Sequence, residues 1–126
     1  MKHFWFGAAL LAVLLGVGLW TSHAMDSIHT PIADSLSLAA EQALSGETVR
    51  GIETARRAHD AWQRHRKGTA SVADHAPMEE ADSLFAQMEA FITAGEFSQF
   101  AACCTRLSEL VRAIGEAHTL TWWNLL

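Results

Sequence analysis

The amino-acid sequence predicts an all-α protein: an N-terminal transmembrane helix followed by an antiparallel up-down-up-down four-helix bundle. Ala, Leu and Glu, which lose little side-chain entropy in a helix, are abundant, whereas Tyr is absent and Pro occurs only twice. Four stretches place apolar residues at steps of three or four, the period of one helix face. Ahead of them, the run from Phe4 to Trp20 carries no charge.

As a helix that first run spans about 25 Å, the lower limit for crossing a hydrocarbon core. Trp5 and Trp20 stand at its ends, where indoles prefer the headgroup region. Lys2 precedes it, and the first charges after it, Asp26 and Asp34, are acidic. By the positive-inside rule the N-terminus stays cytoplasmic and the remainder is extracytoplasmic, which makes a single-pass protein of the cell membrane. Residues 1–25 are then the anchor and 26–126 the exported bundle. Ser22-His23-Ala24 before Met25 also suits a signal peptidase, so a cleaved leader is the alternative. The apolar run exceeds the usual roughly 7 to 15 residues of a signal core, which favours the anchor.

Beyond the anchor, Ile28, Ile32, Leu36, Ala39 and Ala43 share a face, predicting a helix from about Ser27 to Leu44, either separate from the anchor or continuous with it. Pro31 suits a helix beginning near Thr30 and would kink a longer one. Gly46 is its C-terminal cap. A second helix from near Glu47 carries Val49, Ile52, Ala55, His59 and Trp62 on one face. It gathers Arg64, Arg66 and Lys67 in its last turn, where the helix dipole favours cations. Residues 69–76 read as a loop. Pro77 opens a third helix, with Glu79, Glu80 and Asp82 in its first turns. Its apolar face is Met78, Ala81, Phe85, Met88 and Ile92, widened by Leu84 and Phe91.

After Gly95 a fourth helix aligns Phe97, Phe100, Ala101, Cys104, Leu107, Val111 and Ile114, and reaches at least His118. Ile52, Phe85, Met88, Leu107 and Val111 are expected to meet in one core. Gly46-Glu47 and Gly95-Glu96 repeat the same turn forty-nine residues apart, a period unlike the roughly thirty-four of a tetratricopeptide repeat.

Fourteen acidic against nine basic residues give a net charge of -5, which argues against nucleic acid as a partner, since phosphate binding rests on Lys and Arg. Cys103 and Cys104 are neighbours and point about 100° apart on a helix, so they do not bridge each other. Cys104 reads as a small core hydrophobe and Cys103 as the edge of that face; a bridge between protomers is the alternative. No nucleophile motif, P-loop or zinc-protease motif is present, and the chain does not read as an enzyme.

An up-down-up-down order returns the C-terminus to the bilayer, where Trp122, Trp123, Leu125 and Leu126 suit an interfacial contact with lipid; closing the open end of the core is an equal alternative. Counted from the turn glycines, His29, His65, His75 and His118 fall within roughly 9 Å of one another along the bundle axis. Asp74 and Glu116 share that layer. The set His29, His65, Asp74, His75 and His118 offers chemistry for zinc or another transition metal, or for titration between about pH 5 and 8. No pair has a compact metal spacing, so solvated or capping histidines are the plainer reading. His59 lies on the apolar face, level with Asp82 of the third helix. A structural hydrogen bond between His59 and Asp82 is expected.

A short hydrophobic N-terminus, His59 with Trp62 and His65, Asp74-His75, and the closing Glu116-Ala117-His118-Thr119-Leu120 with Asn124-Leu125-Leu126 resemble the domain-of-unknown-function family 4363 of clostridial bacteria. The resemblance implies no activity. It does imply an accessory subunit beside a YetF-like multi-span membrane protein. With the anchor, it points to a binding or scaffold module that meets membrane lipid, an integral membrane protein or a second copy of itself, with histidine-based metal binding or pH sensing as the alternative.

Overall fold

A computed structural model describes the backbone of residues 2–69 and 75–124, and side chains within 2–20, 28–67 and 76–117. All secondary structure among the described residues is helical: α1 (Lys2–Leu44), α2 (Thr48–Thr69), α3 (His75–Ala94) and α4 (Phe97–Asn124).

The apolar N-terminal run and the helix expected after it are one. α1 runs 43 residues without a break, about 65 Å, and Pro31 lies inside it. Its first half, Lys2–Trp20, is long and apolar enough to cross a membrane, with a mean hydropathy of 1.8 and nothing buried against the rest of the chain. Its second half buries Ile32, Ala33, Leu36, Ala39 and Ala40 in the core. The loop expected at 69–76 is shorter, because α2 continues to Thr69 and α3 begins at His75. Pro77 still falls in the first turn, where an amide donor has no helical acceptor.

Both Gly-Glu turns are Schellman motifs. Gly46 and Gly95 take positive φ, +89° and +72°. Glu47 N donates to Gln42 O (2.9 Å) and Gly46 N to Ala43 O (3.4 Å); Glu96 N donates to Phe91 O (3.0 Å) and Gly95 N to Ile92 O (3.1 Å). Each glutamate also starts the next helix, its carbonyl accepting from Gly51 N (3.0 Å) or Phe100 N (2.9 Å).

The echo between the turns extends through the helices. At the same forty-nine-residue offset, Leu36 corresponds to Phe85, Ala39 to Met88, Gly51 to Phe100, Thr54 to Cys103, Ala55 to Cys104, Ala58 to Leu107 and Trp62 to Val111, and every one of these is buried.

Phe85, Met88, Leu107 and Val111 are fully buried together, with Ile52 partly buried against them. Three expected face positions are instead exposed: Ile28, Val49 and Phe97. Val49 and Phe97 lie in the first turns of α2 and α4, and Ile28 lies inside α1 just before its buried stripe starts at His29. Cys103, expected at an edge, is buried, because its thiol turns to donate to Leu84 O at 3.3 Å. Burial pushes both thiols up in pKa, Cys104 from 9.0 to about 12.

α1 packs on both α4 and α2, and α3 packs on α4. Across the α1–α4 seam the Ser108 hydroxyl donates to Ala33 O (2.8 Å), which leaves Ser37 to donate to Ser108 (2.7 Å). Between α2 and α3 the link is made by long side chains instead: Arg56 donates to Glu89 (3.3 Å) and Trp62 Nε1 to Asp82 (2.9 Å).

Candidate functional site

Of the candidate metal ligands, His29 and His65 are described and lie at the same end of the helices. His29 follows the same stripe as Ile32 and Leu36, and only 1% of it is exposed. Its burial corrects the expectation of a solvated or capping histidine. The room for it comes from α4: a Cβ on Gly115 would stand 2.9 Å from the His29 Cβ, so only glycine admits the imidazole.

His65 of α2 meets His29 edge-on, with ring centroids 4.7 Å apart at 85°. Trp62 completes the group, 6.5 Å from His29 and 6.1 Å from His65. Two of the five expected metal ligands therefore come together. Asp74, Leu125 and Leu126, and the side chains of His75, His118, Trp122 and Trp123, lie outside the described residues. Among the described residues no three His, Cys, Asp or Glu side chains form a metal-holding group.

The expected His59–Asp82 hydrogen bond is not made. Asp82 is taken by two other groups of α2, the Trp62 indole and the Arg66 guanidinium. Trp62 is fully buried, and an indole N–H so placed needs an acceptor; Asp82 supplies it from the facing turn. His59 is half-buried, stacks on Phe85 (4.6 Å, 6°), lies 3.2 Å from Gln63 Nε2 and faces Glu89 at 4.0 Å. The facing helices are offset by about one turn from the expected level: His59 lies against Phe85, and Trp62 takes the place opposite Asp82.

Between α1 and α4 a cleft of 140 Å³ opens, lined by His29, Thr30, Arg112, Gly115 and Glu116. Arg112 crosses it to donate to Asp34 Oδ1 at 2.7 Å. Sequence reasoning singled out His29 and Glu116 here but not Gly115 or Arg112. The signal for Gly115 was its place four residues after Val111 on the buried stripe of α4, where a missing side chain means a close approach.

Comparison with protein-family models, with curated proteins and with solved structures returned no match.

Proposed function

We propose that this protein is a membrane-tethered helical scaffold, with residues 1–25 as an uncleaved anchor and 26–126 as an antiparallel up-down-up-down four-helix bundle. The observation that carries this reading is α1 itself: residues 4–17 are exposed and apolar, while the same uninterrupted helix goes on to bury Ile32, Leu36 and Ala39 in the core. Exposed Phe4, Trp5, Leu11 and Leu14 match a lipid solvent and no protein partner within the chain.

The bundle order is supported by the registers of contact. Asp34 meets Arg112 while Ser37 meets Ser108, so α1 rises as α4 falls; Arg56 meets Glu89 while Trp62 meets Asp82, so α2 and α3 oppose in the same way. The N-terminus is cytoplasmic and the bundle extracytoplasmic. The anchor-side end docks on lipid, on an integral membrane protein such as the YetF-like partner implied by the resemblance to family 4363, or on a second copy, with Trp122 and Trp123 at that surface.

Mass spectrometry and protease protection of a C-terminal tag in intact cells test the anchor. A chain that keeps residues 1–24 and exposes its tag outside agrees; a mature chain starting at Met25 refutes the anchor. Replacing Trp122 and Trp123 with Ala should leave helix content unchanged and reduce recovery of partners from solubilised membranes.

The contact of His29 with His65 favours a second reading, metal binding or pH sensing at the same end. Calorimetric titration with zinc distinguishes it: saturable heat lost in the His65→Gln variant supports it, and heat absent in the native chain removes it.

A further inference from the structure

The cleft between α1 and α4 plays no part in tethering the chain. We propose that it binds a small zwitterion of the phosphoethanolamine class, as the headgroup of phosphatidylethanolamine or in soluble form, with the anion at Arg112 and the ammonium at Glu116.

Arg112 and Glu116 are one turn apart on α4, a separation of about 5–6 Å between Cβ atoms that suits an anion and an ammonium joined by two carbons. They do not neutralise each other. Arg112 turns across the seam to Asp34, and Glu116 makes no ion pair among the described residues. A guanidinium carries five donors, so the bond to Asp34 leaves others for a phosphate. The Thr30 hydroxyl adds a further polar group, and the remaining lining is His29 and the bare backbone of Gly115.

Size agrees with charge. A cleft of 140 Å³ that is open on one side has room for a group the size of a headgroup. A choline group is bulkier and has no N–H for Glu116, and a glycerol headgroup has no cation, so ethanolamine is selected.

Thr30 stands ten residues past Trp20 on one continuous helix, about 15 Å in a vertical orientation and less in a tilted one. The cleft therefore lies within about 10 Å of the headgroup layer. The lipid source rests on α1 being the membrane anchor; the soluble source does not.

The test uses the full chain, isotopically labelled, reading the amide resonances of Thr30 and Gly115. One arm adds soluble phosphoethanolamine to the chain in detergent micelles. The other compares nanodiscs of phosphatidylcholine alone with discs that also contain phosphatidylethanolamine or phosphatidylglycerol. Shifts in the ethanolamine discs only, matched by the soluble compound, are expected and assign the lipid source. Shifts with the soluble compound alone support the same chemistry with a soluble source. Arg112→Gln and Glu116→Gln should each weaken binding about tenfold or more, while Asp34→Asn, which only releases Arg112, retains it. Equal shifts in all discs, or none in either arm with helix content intact, overturn the proposal. A chain that fails to co-purify with discs overturns the anchor instead and leaves the soluble arm to decide the cleft.

Discussion

The hairpin of α1 and α2 and the hairpin of α3 and α4 turn through the same Gly-Glu geometry and bury corresponding positions, yet the first pair of helices stands closer than the second. The cause is side-chain size at matched sites. Where the first hairpin has Ala39, Gly51, Ala55 and Ala58, the second has Met88, Phe100, Cys104 and Leu107. A Cβ on Gly51 would come within 2.9 Å of the Ala39 carbonyl oxygen, a limit set by backbone and not by a movable side chain. The periodic pattern fixes which positions face inward; the volumes there set how far apart the helices lie.

Emptying and filling the matched sites should therefore act oppositely. The largest effect is expected from Phe100→Ala, which opens a cavity in the wider hairpin and should cost about 3–5 kcal/mol, read by denaturant unfolding. Near-native stability would mean that the wide hairpin collapses to the spacing of the narrow one. Gly51→Ala should cost about 1–3 kcal/mol by overpacking, although alanine is the better helix former. If it stabilises the chain, the helices are free to part and the close approach is not a constraint.

The turns should respond alike. Gly46→Ala and Gly95→Ala each force a side chain into the left-handed region and should each cost about 1–2 kcal/mol. A clear difference between them would show that the two turns are equivalent in shape alone.

The smallest expected effect near neutral pH comes from the thiols, which replace Thr54 and Ala55 of the first hairpin. Burial raises the pKa of both Cys103 and Cys104, so their contribution is fully present below the unfolded value near 9.0 and is lost as pH rises above it, for Cys104 through about 12. Thermal melts of the Cys103→Thr, Cys104→Ala double variant should lack that alkaline decline, and native thiols should resist alkylation at neutral pH. An alkaline decline that survives the double variant would place its origin elsewhere.

The all-α class, the apolar segment from Lys2 to Trp20, both Gly-Glu turns and most of the buried stripes are legible in the amino-acid order alone, because each follows from the local geometry of one helix. His29 lay on its stripe three residues before Ile32 and was legible there as an inward position. Its burial follows from packing between helices, since the space for it is a side chain missing from Gly115 on another helix. Packing likewise gives Asp82 to Trp62 and Arg66, turns Cys103 to Leu84 and brings Arg112 to Asp34 beside a cleft. Periodicity gives a side chain's level and approximate face. Its partner depends on how the facing helix is rotated and how closely it approaches, and both are set by packing among residues remote in the chain.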